Sequence, residues 1–185
     1  MGCRIINILR KEPPACGRYF LDTNVLLSVY GPYSFDSKWW PYSRFVSDLI
    51  KTQCEMFVDL TVIGEYVSVY TRQSLVIYKE NKPDPREVGV KAYSRTEHYK
   101  AMLQDMGDDM HHVQQAFQLF HSETAWVDIA EMVRNMCAGG ASFNDRLIGK
   151  KCRENDLILV TDDSDFDLFD ISIATANGKL TRGRA

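Results

Sequence analysis

Apolar residues along the chain fall into short runs, separated by longer stretches in which they recur at helical spacing. The short runs predict buried strands at Tyr19-Phe20-Leu21, Met56-Phe57-Val58, Leu157-Ile158-Leu159-Val160 and Ile171-Ser172-Ile173. The amphipathic stretches predict helices over 24–30, 37–54, 61–78, 88–138 and 142–154. Because strands that alternate with helices form parallel sheets, the pattern predicts an α/β fold with a central parallel sheet and helices on both faces.

The length, net charge and cysteine content of the chain limit its possible fold and function. A length of 185 residues favours one domain, and a net charge of −3 means that nucleic acid would have to bind through a local basic patch and metal ions. The five cysteines include no Cys-x-x-Cys pair, which argues against a zinc knuckle or a disulfide framework. We therefore expect a cytoplasmic protein, and no apolar stretch approaches the length of a membrane span.

The acidic residues fall at informative places. Asp22 directly follows the first predicted strand, and Asp162, Asp163 and Asp165 follow the strand that ends at Val160. Ligands of open parallel sheets bind in the crevice outside the carboxyl ends of the strands, so two strands would deliver carboxylates to one place. Asp145 in the first turn of a helix and Glu65 about one turn into another are expected near the same edge.

Carboxylates crowded in this way repel one another unless some are protonated or a cation binds among them. Hard oxygen ligands suit Mg²⁺ or Mn²⁺, and such ions promote hydrolysis of phosphodiesters. Each acid also has an ordinary structural explanation: Asp22 as a helix cap, Asp145 as part of a capping box and Glu65 as a solvated helix residue. Their joint placement favours a metal site.

Several segments resemble the PIN-domain family, which includes the VapC toxins. Phe20-Leu21-Asp22-Thr23-Asn24-Val25-Leu26 resembles the opening strand of that family, and Leu157 to Phe166 resembles its apolar strand followed by Thr-x-Asp-x-Asp-Phe. Asn144-Asp145-Arg146-Leu147-Ile148 resembles the start of the helix with the third acid, and Glu65 matches the helical Glu. The resemblance implies a three-layer α/β/α fold and an endoribonuclease that depends on Mg²⁺ or Mn²⁺.

Carried over by motif, the metal ligands and catalytic residues are Asp22, Glu65, Asp145 and Asp163, with Asp165 as an accessory ligand. Asn24 and Thr161 would orient the carboxylates. The resemblance further implies RNA as substrate, a homodimer, and an antitoxin partner if the chain is the toxin of a toxin–antitoxin pair.

Measured against this family, the chain divides into an N-terminal extension (1–17), a PIN-like domain (18–176) with a helical insertion at about 79–122, and a basic C-terminal tail (177–185). The tail is expected to be exposed to solvent. The cations Arg146, Lys150, Lys151 and Arg153 lie on the helix of Asp145, where they either contact phosphates or are simply solvated.

Two alternatives to a ribonuclease stay open. A haloacid-dehalogenase-like phosphatase also places an Asp after its first strand, but it requires a second Asp where Asn24 stands. A non-catalytic PIN-like module that binds RNA or protein is the other alternative. A calcium-binding loop at Asp163-x-Asp165-x-Asp167 is rejected, because Leu168 and Ala174 replace the Gly and Glu that such a loop needs.

Overall fold

A computed structural model describes residues 4–34, 36–80, 88–121, 126–136 and 140–182. Its sheet contains six strands, which are β1 (Ile5–Asn7), β2 (Arg18–Leu21), β3 (Glu55–Val58), β4 (Gln118–Leu119), β5 (Ile158–Val160) and β6 (Ile173–Thr175). The strands lie in the order β1-β6-β5-β2-β3-β4, and all five pairings are parallel. The predicted α/β fold with a central parallel sheet is therefore confirmed.

The connections between strands are mainly helical, as a parallel sheet requires. The α-helices of the described residues are α1 (Thr23–Tyr30), α2 (Trp40–Lys51), α3 (Leu60–Glu80), α4 (Val90–Tyr93), α5 (Glu97–Ala116), α6 (Trp126–Met136), α7 (Phe143–Glu154) and α8 (Gly178–Arg182). A 3-10 helix, Ser164–Leu168, follows β5. Among these described helices, none is both long enough and apolar enough to cross a lipid bilayer.

The central strands are buried on both faces. Tyr19, Phe20 and Leu21 of β2 have no exposed surface, because side chains from helices cover each face of the sheet. On one face Tyr19 packs edge-to-face against Phe45 of α2. Phe20 packs edge-to-face against Phe120, which follows β4. This packing explains why β2 appears in the sequence as a short, wholly apolar run.

The strand order reverses beside β2. From β2 the chain moves outward to β3 and β4 on one side, and then returns to form β5 and β6 on the other side. A crevice opens at such a reversal, outside the carboxyl ends of the two diverging strands. Here those ends are Leu21, which precedes Asp22, and Val160, which precedes Thr161.

Three of the element predictions were incomplete or wrong. Ile5–Asn7, which was assigned to the extension, forms the edge strand β1 beside β6. The block 88–138 is not helical throughout, because α5 ends at Ala116 and β4 follows, with Phe120 N–H donating to Val58 O (2.7 Å). The last strand begins two residues later than predicted. Pro83 and Pro85, which stand between the predicted helices 61–78 and 88–138, lie outside the described residues.

A buried ion pair joins the helices that follow and precede two central strands. Asp59 directly follows β3, accepts a hydrogen bond from Val62 N–H at the start of α3 (2.9 Å), and pairs with Lys151 of α7. The side chains of Asp59 and Lys151 are only 4% and 11% exposed. The pair therefore fixes α3 against α7, and these two helices carry Glu65 and Asp145.

Replacing Lys151 with Met should lower the free energy of unfolding by about 3–5 kcal/mol, because it leaves the Asp59 carboxylate buried without a countercharge. Urea denaturation measures the loss. Lys150→Met is the matched control, since the neighbouring Lys150 forms partly exposed pairs with Asp128 and Glu154 and should contribute at most about 1 kcal/mol. Equal losses in the two variants would contradict a special role for the buried pair.

Candidate functional site

Asp22 stands at the reversal of the sheet and is held on both carboxylate oxygens. Its Oδ1 accepts a hydrogen bond from Thr23 N–H (2.7 Å), so it caps α1 as an Asp at this position often does. Its Oδ2 accepts from Asn24 Nδ2 (2.6 Å) and from Thr161 Oγ1 (2.7 Å). The side chain is almost fully buried at 6% exposure. A capping carboxylate is thus also the centre of a network that joins β2, α1 and β5.

The electrostatic environment of Asp22 is unusual for an aspartate. Burial raises its pKa from 3.8 to about 7, although the hydrogen bonds from Thr161 and Thr23 act in the opposite direction. The negative charges of Asp145 and Glu65 raise the pKa further. The two helix-borne acids are therefore close enough to Asp22 for their charges to act on it.

Three other acids converge beside Asp22. Carboxylate oxygens of Asp145, Asp163 and Asp165 all lie within 4.8 Å of one another. Asp145 comes from the first turn of α7, whereas the other two come from the segment after β5. The connection from α7 back into the sheet thus brings Asp145 next to Asp163 and Asp165, which follow it by 18 and 20 positions in the sequence.

Local hydrogen bonds fix these acids at the ends of their elements. Asp145 and Ser142 form a reciprocal capping box at the start of α7. Asp163 N–H donates to Thr161 Oγ1 (3.0 Å), and Asp163 Oδ1 accepts from Asp165 N–H (2.9 Å). Both caps use one carboxylate oxygen, so each carboxylate keeps another oxygen that could bind a cation.

Glu65 joins the group through polar neighbours from two elements. Its Oε2 accepts hydrogen bonds from Thr23 Oγ1 (3.3 Å) and from Asn144 Nδ2 (3.4 Å). Thr23 is adjacent to Asp22, and Asn144 is adjacent to Asp145. The side chain of Glu65 is therefore directed toward the acidic cluster, although the sequence alone permitted a solvated position.

The two predicted orienting groups, Asn24 and Thr161, make the bonds that such a role needs. Besides their bonds to Asp22, Asn24 Nδ2 donates to Thr161 Oγ1 (3.2 Å), and Asn24 Oδ1 accepts from Asp162 N–H (3.1 Å). Thr161 is fully buried. These bonds link the Asp22 carboxylate to the backbone that leads to Asp163. Their functional role stays a prediction.

The sequence reasoning missed Tyr42 of α2, which ties together the carboxyl ends of β5 and β6. Its buried hydroxyl donates to Asp162 Oδ1 (2.7 Å), accepts from Ala176 N–H (3.0 Å), and lies 3.2 Å from Thr175 Oγ1. Asn177 Nδ2 also donates to Asp162 O. Asp162 is thus held by hydrogen bonds on both its main chain and its side chain. From the sequence, Tyr42 suited either base stacking or the helix core, and nothing local indicated its hydrogen bond to Asp162.

The carboxylate set meets the chemical requirements of a divalent cation site. All of its donor atoms are carboxylate oxygens, and it lies outside the carboxyl ends of the strands. The burial and neighbouring negative charges that raise the pKa of Asp22 disfavour its ionised form, and a bound cation would favour that form. By contrast, three cations of α7 have partners outside the cluster. Lys151 pairs with Asp59, Lys150 pairs with Glu154, and Arg146 donates to Asn135 O (3.0 Å).

Comparison with solved structures gives two similar chains. One belongs to VapBC2 from Rickettsia felis, solved bound to a DNA fragment from their promoter, with a TM-score of 0.50, 15% identity, and coverage of 85% of this chain and 97% of that chain. The other is PAE2754 from Pyrobaculum aerophilum, with a TM-score of 0.44, 16% identity, and coverage of 90% and 94%. No protein-family profile and no curated protein sequence matches the chain.

The likeness to the VapBC2 chain confirms the predicted PIN-like fold. At 15% identity it concerns the fold alone. The roles of Asp22, Glu65, Asp145, Asp163 and Asp165 therefore depend on the geometry described above.

The raised pKa of Asp22 predicts how the metal-free protein responds to pH. Between pH 3.8 and about 7 the carboxyl is protonated in the folded state but ionised in the unfolded state. The folded state then binds more protons, so the free energy of unfolding should fall as the pH rises, by up to about 4 kcal/mol. Urea denaturation in the presence of a chelator measures this slope.

Asp22→Asn is the control for this slope, because the amide does not titrate. The variant is expected to have a different absolute stability, since the amide cannot reproduce all the accepted hydrogen bonds, but its slope across this range should be smaller. An unchanged slope would assign the titration to another group.

Tyr42→Phe should weaken binding of Mn²⁺, because loss of the hydroxyl releases Asp162 and the segment that leads to Asp163. Titration followed by electron paramagnetic resonance measures free Mn²⁺. Tyr19→Phe is a matched control, since this buried tyrosine donates to Ala15 O (2.7 Å) at the opposite edge of the sheet. Both variants should lose about 1–3 kcal/mol of stability, but only Tyr42→Phe should lose Mn²⁺ affinity. Equal Mn²⁺ affinity in the two variants would contradict the positioning role.

Proposed function

We propose that this protein is a divalent-metal-dependent endoribonuclease that hydrolyses phosphodiester bonds of RNA. One observation carries the proposal: carboxylates from β2, α7 and the segment after β5 converge at the strand-order reversal, where Asp145, Asp163 and Asp165 lie within 4.8 Å of one another. A PIN-like fold agrees with this activity. RNA as substrate comes from the family resemblance of the sequence motifs.

In this proposal Asp22, Glu65, Asp145 and Asp163 hold Mg²⁺ or Mn²⁺, with Asp165 as an accessory ligand. When bound, such an ion supplies electrostatic stabilisation to the phosphate and favours ionisation of the attacking water. The chain's own contribution is positional. Thr23, Asn24 and Thr161 keep the Asp22 carboxylate in one orientation, and Asn144 and Thr23 do the same for Glu65.

The protonation state of Asp22 should affect how tightly the site binds a metal ion. With its pKa near 7 in the metal-free protein, Asp22 carries a proton in a large fraction of molecules at neutral pH. Cation binding requires the carboxylate form and therefore releases that proton. Metal affinity should consequently increase as the pH rises toward 7.

The geometry disfavours the phosphatase alternative. A phosphatase of the haloacid-dehalogenase type needs an accessible Asp nucleophile after its first strand and a general acid two residues later. Here both oxygens of Asp22 accept hydrogen bonds inside a nearly closed environment, and the residue two positions later, Asn24, is an amide bonded to Asp22 itself. A non-catalytic module would have no need for an acidic cluster of this kind, whose mutual repulsion lowers stability.

The proposal extends to partners. The similar Rickettsia felis chain belongs to VapBC2, and by this analogy the protein is proposed to act as the toxin of a toxin–antitoxin pair. An antitoxin protein would then cover the acidic site, and the chain would form a homodimer, as the family resemblance implies.

The central test is cleavage of single-stranded RNA with Mg²⁺ or Mn²⁺. Asp163→Asn should reduce the rate by at least about a hundredfold, because it removes one carboxylate of the cluster. Asp170→Asn is the matched control, since this exposed acid lies in the same segment but outside the cluster, and it should cleave at the wild-type rate.

Two results would overturn the proposal. One is cleavage that persists with excess chelator, and the other is an Asp163→Asn variant as active as Asp170→Asn. Turnover of a phosphomonoester without any RNA cleavage would favour the phosphatase alternative instead.

A further inference from the structure

We propose that Lys179 and Arg182 of α8, together with Asn177, form a pocket beside the acidic site that binds a backbone phosphate of a single-stranded nucleic acid. This inference deepens the proposed ribonuclease function and rests on it for the identity of the substrate. The binding site itself is argued from its placement, its charge and its shape.

Residues 177–182, which the sequence assigned to a basic tail, pack against the folded domain. Leu180 is buried at 3% exposure, and α8 packs against β1 and against the 3-10 helix Ser164–Leu168. That 3-10 helix begins directly after Asp163 and contains Asp165. Asn177 also donates a hydrogen bond to Asp162 O. The fold thus places α8 next to the loop that carries two of the clustered acids.

The pocket is shallow, open to solvent and cationic. It measures about 580 Å³ and is lined by Asn177, Gly178, Lys179 and Arg182. The Arg182 guanidinium folds back over Gly178, with Nη2 3.3 Å from the position that a Cβ at Gly178 would occupy. The absence of a side chain at residue 178 therefore leaves room for the guanidinium to line the pocket beside Lys179.

Both cations are available for a ligand. Within the described part of the chain, neither Lys179 nor Arg182 forms an ion pair with a carboxylate. Two lysines of α7 differ in this respect, because Lys151 is paired with Asp59 and Lys150 with Glu154 and Asp128. The pocket thus offers unneutralised positive charge close to the acidic cluster.

Charge complementarity identifies the ligand class. A nucleic-acid strand whose scissile phosphate lies at the metal-binding acids carries further phosphates on either side, and these need a cationic surface in a protein of net charge −3. Guanidinium and ammonium groups bind phosphate oxygens through charge-assisted hydrogen bonds. A flanking phosphate of the bound strand is therefore the group that the pocket suits.

The test measures binding separately from cleavage. A labelled, short single-stranded RNA is titrated with protein in the presence of chelator, and fluorescence anisotropy gives Kd over a range of salt concentrations. The double variant Lys179→Gln/Arg182→Gln should bind about tenfold more weakly, and its dependence of log Kd on log salt should fall by about 0.7 per cation removed.

Matched variants separate local from general charge effects. Lys91→Gln/Arg95→Gln removes the same two charges from the exposed surface of α4 and the residues after it, and should retain wild-type affinity and salt dependence. Lys179→Arg/Arg182→Lys retains both charges and should also retain the salt dependence. The proposed phosphate pocket would be contradicted if the α4 variant lost as much RNA affinity as the α8 variant, or if the α8 variant bound RNA with wild-type affinity.

Two further measurements define the ligand and the dependence on the proposed function. A DNA strand of the same sequence should show the same loss, because the pocket recognises phosphate; a loss confined to RNA would overturn the phosphate assignment. With metal present, the α8 variant should show a raised KM and an unchanged kcat. If wild type does not cleave but the α8 variant still loses affinity and salt dependence, the ribonuclease proposal fails while the phosphate pocket stands.

Discussion

The buried carboxylate of Asp22 is the constraint around which this end of the sheet is organised. An ionised carboxylate at 6% exposure is costly, and here its oxygens accept three hydrogen bonds from Thr23, Asn24 and Thr161. Even so, its pKa rises to about 7, because desolvation outweighs those bonds and neighbouring acids add to the effect. The site retains this strain, and a divalent cation is the species that would relieve it.

The distribution of countercharge separates structural acids from candidate functional ones. Asp59 and Asp22 directly follow adjacent strands, yet Asp59 is neutralised by Lys151, and Asp162 is held by Tyr42. Asp145, Asp163 and Asp165 have no comparable cation within the described structure, although they lie within 4.8 Å of one another. A lysine therefore neutralises the acid that stabilises helix packing, whereas the acids that face the crevice have no such countercharge in the described residues.

The same aspartate side chains cap helices and form the candidate metal site. Asp22, Asp145 and Asp163 each cap a helix with one oxygen, which fixes the position and orientation of the carboxylate. The second oxygen is then held where the strand ends meet. Tyr42 adds a connection at the same edge, because one buried hydroxyl bridges the ends of β5 and β6. The candidate site is therefore preorganised by ordinary secondary-structure interactions.

The sequence by itself determined the central strands and the acids that follow them. Apolar runs such as Tyr19-Phe20-Leu21 can be identified from the sequence because a strand buried on both faces needs no polar residue. Asp22 stands directly after one such strand, and Asp163 stands three residues after another. The remaining features depend on contacts between distant parts of the chain. The edge strands β1 and β4 are too short to carry a periodic signal, and they form because β6 and β3 present unpaired backbone groups. The Asp59–Lys151 pair joins residues 92 positions apart, and the roles of Tyr42 and α8 depend on which distant strand end each one meets. Local propensity reflects a residue's neighbours in sequence, whereas these interactions are set by sheet order and helix packing.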